Sequence, residues 1–190
     1  MSVIVRGRVR TDLEEKVSHQ LLQHVDGTIL VNQRLLKKIV DGKAYLAGWR
    51  IDDVASGSAA YFLFENPSGS GVYANIVAVG LTGTGTGRVN MYPKGQFTVD
   101  TPGTSVTPLN LNPASGESAK CVFRYGGAYT VDTPAVRQVL PGGSHIRAIG
   151  GVIGVDINLR VPEDYALLVE IVNQSASAED FSCRFIWWEE

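Results

Sequence analysis

The chain is poor in the residues that staple, charge or ligate. Only two cysteines occur in 190 residues, Cys121 and Cys183, and they lie far apart. A disulfide scaffold or a zinc site needs thiols clustered at short spacing, so both are excluded. Each cysteine sits in an alternating apolar run, in line with Phe123 and Tyr125 or with Phe181 and Phe185. Both are expected to be buried free thiols. Charged residues make up only 19% of the chain, too few for a surface of long exposed helices. No apolar run approaches the about 18 residues of a membrane span, and the first residues lack the long apolar stretch of a secretory signal. The expectation is a chain made in the cytoplasm, with no membrane partner.

Catalytic constellations are also missing. Of the three histidines, His19 and His24 fall on one predicted helix, and His145 stands alone in a Pro-Gly-Gly-Ser-His turn. Ser144 beside it does not sit in a G-x-S-x-G elbow, so a hydrolase triad has no seat. The His-x-His pair of a metal-binding cupin is absent. The glycines of GLTGTGTGR (Gly80, Gly83, Gly85, Gly87) are not followed by Lys-Ser/Thr or by a helix, which argues for a β-turn and against a phosphate loop. Asp52-Asp53 and Glu163-Asp164 lack calcium-loop spacing, and neighbouring carboxylates on a strand point to opposite faces. No enzymatic activity, cofactor or metal is expected.

What the chain does have is glycine, 21 of them, among short apolar or alternating runs punctuated by Pro, Ser and Asn. From Ala44 onward this pattern predicts strands near Tyr45–Val54, Ala59–Glu65, Tyr73–Leu81, Arg88–Tyr92, Ser105–Leu111 and Ala119–Tyr125. Further strands are predicted near Ala135–Leu140, Gly151–Leu159, Tyr165–Asn173 and Phe181–Trp188. Such spacing specifies an all-β sandwich rather than βαβ units. Two segments look alike: Ala60–Glu65, a polar loop and Val72–Val79; then Ala166–Val172, a polar loop and Phe181–Trp188. Both read as hairpins, and their likeness suggests the two halves of a double Greek key. The fold class is therefore all-β: a single jelly-roll-like β-sandwich with a short helical N-terminal segment.

The first 43 residues differ from the rest. Thr11 and Glu14 form a capping-box pattern, and Leu13, Val17, Leu21 and Val25 recur at helical spacing until Asp26-Gly27 ends the run. Before this helix, Arg6, Arg8 and Arg10 alternate along an extended arm; Gln33–Val40 fits either a helical turn or a strand. Residues 1 to 50 carry nine Lys or Arg against five Asp or Glu, whereas residues 51 to 190 carry eight against fourteen. A basic arm on an acidic body divides the chain into an arm and amphipathic helix, 1–43, and a sandwich, 44–190. Contact with nucleic acid is expected only through the arm, because the body lacks an interleaved basic and aromatic surface. The assembly candidates are Arg6, Arg8, Arg10, Leu13, Val17 and Leu21. The exposed recognition candidates are Tyr73, Tyr92 and Trp188. Trp187-Trp188 sends one indole to each face of the last strand, one into the core and one to a rim or neighbouring subunit.

The stretch YFLFENPSGSG, an apolar strand and GTSVTPLNLN, closed later by GGSHIRAIGG and WWEE, resembles single jelly-roll virion proteins of tailed phages and archaeal viruses. That group includes capsid, decoration, turret and fibre-head components, and the likeness covers roughly residues 44 to 190. It implies a non-enzymatic virion subunit that forms homo-oligomers and meets other virion proteins. Its alternative is a sandwich that binds a host-surface glycan or receptor.

Overall fold

The computed structural model describes residues 35–140, 145–148 and 159–190. The predicted helix at 11–25, the basic arm and most of the predicted strand at 151–159 lie outside the described residues. The chain enters through a helical turn, α1, at 35–40. Asp41-Gly42 ends it in a Schellman motif: Gly42 N–H bonds to the Ile39 carbonyl and Lys43 N–H to that of Lys38, with Gly42 at φ +70°. The segment 33–40 that fitted helix or strand is thus helical over its described part, because the glycine supplies the left-handed cap a helix needs.

α1 is bonded to the body. The Val40 carbonyl accepts from Asn112 Nδ2 at 3.1 Å, the Gly42 carbonyl accepts from Asn110 Nδ2 at 2.8 Å, and Lys38 lies 3.9 Å from Glu190. A Cβ at Gly42 would overlap the Ser115 hydroxyl, whereas one at Gly57, also at positive φ, meets nothing. Gly42→Ala is therefore expected to cost about 2 kcal/mol, more than Gly57→Ala. Thermal unfolding of the two variants checks this, and a greater loss in Gly57→Ala would refute it.

Among the described residues fourteen strands follow: β1 (Ala44–Val54), β2 (Ala59–Asn66), β3 (Ala74–Gly83), β4 (Gly87–Pro93), β5 (Phe97–Thr101), β6 (Thr104–Val106) and β7 (Leu109–Asn110); then β8 (Val122–Tyr125), β9 (Ala128–Val131), β10 (Val136–Leu140), β11 (His145–Ala148), β12 (Leu159–Val161), β13 (Tyr165–Asn173) and β14 (Glu179–Glu189). One sheet runs β11-β3-β14-β1-β7, with β12 also on β3; the other runs β10-β4-β13-β2-β8-β6; β5 and β9 form a separate ribbon.

Set the excursion β5–β9 aside and the pairing is nested. β1 pairs β14, β2 pairs β13, β3 pairs β11 and β12, and β4 pairs β10, all antiparallel. This is one long hairpin of four nested pairings. It is rolled up by two further ladders, β3 with β14 and β4 with β13, and that arrangement is the jelly roll. The two segments read as hairpins are not hairpins. β2 and β3 lie in different sheets, as do β13 and β14, so each loop crosses from one sheet to the other. The look-alike segments pair with each other instead. Their last strand residues do the same job: buried Asn66 donates through Nδ2 to the carbonyls of Val72 and Val161, and buried Asn173 to those of Val54 and Ser177. Each amide holds a crossing where backbone carbonyls have left the ladder.

Alternation places one side of each strand between the sheets. Phe62, Phe64 and Phe123 meet Phe185 and Trp187 there, with Phe64 centred 5.2 Å from both Phe185 and Trp187. The excursion serves both sheets. β6 and β8 extend β2, and β7 pairs with the start of β1. The short edge strands β6 and β7 are flanked by Pro102, Pro108 and Pro113, residues that block pairing with another chain. The β5–β9 ribbon roofs the outer face of the β4-β13-β2 sheet, its Phe97, Tyr129 and Val131 packing on Leu63, Tyr92, Ala166 and Leu168. These two strands and β11 were not predicted; β12 was placed only at its first residue, and Ser105–Leu111 splits in two at Pro108.

Candidate functional site

The glycine series is structural. Its loop joins β3 to β4 and packs against the loop before β14: Thr84 N–H bonds to the Asp180 carbonyl, Gln174 N–H to the Thr86 carbonyl, and Thr86 N–H to Ser175 Oγ. A side chain on Gly85 would overlap Glu179 and Ser175, and one on Gly83 would sit 2.7 Å from the Phe181 ring. Close approach explains these two glycines, and the turn reading needs correction: Gly80 and Gly83 lie in β3 and Gly87 in β4, so only Gly85 sits in the turn between them. The acidic pairs are also engaged. Arg50 bridges Asp52 and Asp180, and Lys94 Nζ lies 2.5 Å from Asp164. Among the described residues no group of three or more His, Cys, Asp or Glu is placed to hold a metal ion.

Two carboxylates that the sequence reading passed over are buried. Glu170 on β13 is 7% exposed and faces outward beneath the edge of the ribbon. In register across four strands stand Arg137, Asn90, Glu170 and Tyr61. Arg137 Nε donates to Asn90 Oδ1 at 3.3 Å, Asn90 Nδ2 to Glu170 Oε2 at 2.6 Å, and Tyr61 OH to Glu170 Oε1 at 3.1 Å. Tyr92 OH adds a fourth bond, to Oε2, at 2.8 Å. Such a row ties β10, β4, β13 and β2 together and leaves the carboxylate well supplied with donors.

Glu189, 4% exposed, faces the core at the other end of the sandwich. It accepts from the backbone N–H groups of Lys120 and Cys121 at 2.9–3.0 Å and from Trp187 Nε1 at 3.1 Å. It thereby fixes the excursion to the last strand.

These carboxylates and burial set the titration of their neighbours. Burial first, then Glu189, pushes the Tyr45 phenol up to about 12. Burial and Glu170 push Tyr61 and Tyr92 to about 12 as well. Burial raises both thiols, with Glu189 adding to the effect at Cys121. Both are free and buried, as expected, and a raised thiol is a poor nucleophile. A phenol whose pKa is higher in the fold than its usual value near 10 stabilises the fold fully below pH 10. That contribution is lost as pH rises toward 12. Burial raises the Tyr129 phenol as well, so phenolate absorbance should show four of the seven tyrosines ionising late, together with loss of the β-sheet circular dichroism signal. Smooth titration of all seven near pH 10 in a folded protein would rule this out.

Of the recognition candidates, Tyr73 is exposed and carries the Arg160 guanidinium 4.0 Å above its ring. Two others require correction, since Tyr92 and Trp188 are each only 3% exposed. Tyr92 does face outward, but the ribbon covers it and Glu170 takes its hydroxyl. Trp188 also lies on the face opposite the core, between Ala44 and Asn75, both buried. Alternation assigns a side chain to a face without saying what covers that face. The residues Arg6, Arg8, Arg10, Leu13, Val17 and Leu21 lie outside the described residues. Comparison with known proteins adds no relative: no family model and no curated protein matches the chain.

Besides Tyr73, Trp49 on β1 is an exposed aromatic, 45% exposed and stacked on Tyr125 of β8 at 4.5 Å and 14°. β7 pairs with β1 only at Tyr45 and Leu46, so Trp49 sits where that edge has passed beyond β7. Val139, also exposed, lies on β10, whose strand partner among the described residues is β4 alone. Trp49 lies inside the predicted strand Tyr45–Val54, beside Arg50 and near Asp52, and that polar company is the sequence signal of its exposure.

Proposed function

We propose that this chain is a structural subunit of a virus particle, a capsid, decoration, turret or fibre component that acts by self-assembly and carries out no reaction. The observation that carries the reading is the complete nested pairing of the jelly roll, the architecture to which the resemblance of residues 44 to 190 points. Fold alone does not assign function. Further support comes from the way chemistry-bearing side chains are spent: both buried carboxylates are saturated with donors and both thiols are buried. Exposed Trp49, Val139 and Leu109 supply apolar contact area at sheet edges, the type of side chain that subunit interfaces bury. The arm with Arg6, Arg8 and Arg10 is the part assigned to nucleic acid or an acidic neighbouring surface.

Sedimentation velocity of the intact chain over a wide concentration range tests the proposal. Discrete, symmetric oligomers are expected, weakened by Trp49→Ala or Val139→Asp. A monomer at every concentration would overturn it.

A second reading, a glycan- or receptor-binding head, is favoured by one observation. The nearly parallel Trp49–Tyr125 stack offers a half-exposed aromatic platform on which a sugar ring can lie. A glycan array probed with the native chain and with Trp49→Ala distinguishes the two readings: binding that disappears in the variant selects this one.

A further inference from the structure

Among the described residues the two sheets end at β7, at β6, at β10 and at β11 with β12, and these edges are not equally guarded. β6 has three residues between Pro102 and Pro108, and β7 has two between Pro108 and Pro113. β11 and β12 divide one side of β3 between them, with four and three residues. In the ribbon, β5 is bulged between Val99 and Thr101 and runs into Pro102. Short strands, bulges and prolines all keep a foreign strand off an edge. β10 differs. Its five residues, Val136–Leu140, run against β4 in unbroken register, and β4 is its strand partner among the described residues. The other side of such a strand presents a row of backbone N–H and C=O groups. Arg137, Gln138 and Val139 are all exposed, Val139 to 62%. The strand's one charge, Arg137, is drawn back over its own sheet by the bond from Nε to Asn90 Oδ1.

We infer that β10 pairs edge to edge with β10 of a second copy, antiparallel about a two-fold axis at Gln138, so that the β10-β4-β13-β2 sheet continues from one subunit into the next. This rests on the assembly reading and names the surface that carries one of its contacts. Three features of the strand select a second copy and this register. First, Pro134 and Pro141 end the open row on both sides. Centring on Gln138 is then the register that pairs all five residues with five, Val136 opposite Leu140 of the second copy and Arg137 opposite its Val139. Second, the charges agree. An axis at Arg137 would set two guanidinium groups face to face, whereas an axis at Gln138 lays each Arg137 stem against the exposed Val139 of the other copy. Third, the two exposed Gln138 amides meet at the axis, and each offers both a donor and an acceptor, so the group is complementary to itself. A five-residue ladder is smaller than the about 1,200 Å² that a lasting dimer buries. The contact therefore forms with the oligomer and dissolves on dilution.

Cysteine cross-linking of the full chain tests it. Opposite residues of an antiparallel pair have Cα atoms about 4.5–5.5 Å apart, within the reach of a disulfide. The two native thiols are buried, so an introduced one reports alone. Gln138→Cys places it on the axis, and Thr98→Cys, exposed on the ribbon, is the control. At concentrations where sedimentation shows oligomers, mild oxidation should join two Gln138→Cys chains at least about tenfold faster than two Thr98→Cys chains, as read on non-reducing gels. Oligomers with equal rates would overturn this pairing and leave the assembly reading standing; a chain that stays monomeric throughout, with equal rates, would overturn both. A second measurement needs no substitution. Hydrogen exchange at those amides of Val136–Leu140 that are open in the dilute chain should slow at least about tenfold once oligomers form. Oligomers that leave exchange in this strand unchanged would equally overturn the pairing.

Discussion

Glu189→Ala is expected to cost the fold about 3–5 kcal/mol and to lower the unfolding temperature by about 10 °C. The carboxylate accepts from two backbone amides and one indole in a buried setting. Truncation leaves all three donors without a partner, and each unsatisfied buried donor costs about 1–3 kcal/mol. It also releases the segment that leads into β8. Glu189→Gln keeps one acceptor oxygen but introduces an amide donor among donors, so it should lie between the native chain and alanine. Denaturant unfolding followed by tryptophan fluorescence measures this, with a spectral shift even in the folded variant because Trp187 Nε1 loses its acceptor. A loss of less than about 1 kcal/mol would show that water replaces the carboxylate there.

Glu170→Ala should cost a similar amount, about 3 kcal/mol, because it strands the hydroxyls of Tyr61 and Tyr92 and the amide of Asn90. The effect should not be additive with its partners. Adding Tyr92→Phe to Glu170→Ala removes one orphaned donor and should recover part of the loss, a coupling that a double-mutant cycle reads directly. This separates a structural tie from a binding residue. A carboxylate retained for a ligand would alter binding while leaving stability nearly intact, and full additivity would remove Tyr92 from the network.

Much of the sandwich was legible in the sequence because a period of two along a strand reports burial on one face directly. β1, β2, β3, β4, β10, β13 and β14 all appear where alternating or continuous apolar runs lie between Gly, Pro and Asn. The partner of each strand was not legible. β2 and β3 sit either side of a short polar loop, the local signature of a hairpin, yet each pairs with a strand about a hundred residues later. Local pattern carries no information about that choice. The β5–β9 ribbon was hidden for a different reason: FTVDT and AYTV are short and mostly polar, and become strands only by lying on Leu63, Tyr92 and Leu168. The same tertiary cover overturned the exposure of Tyr92. Glu170 and Glu189 give no sign of their role in the sequence, because Glu170 draws its donors from three side chains on other strands and Glu189 draws two of its three from the loop before β8, about seventy residues earlier.

Electron microscopy of the intact purified chain tests the central claim, that this jelly roll works by assembling, most directly. The account predicts closed rings, shells or regular arrays in which one sandwich-sized subunit repeats by symmetry. Fields of isolated single subunits, at concentrations where a glycan or receptor is nonetheless bound, would contradict it.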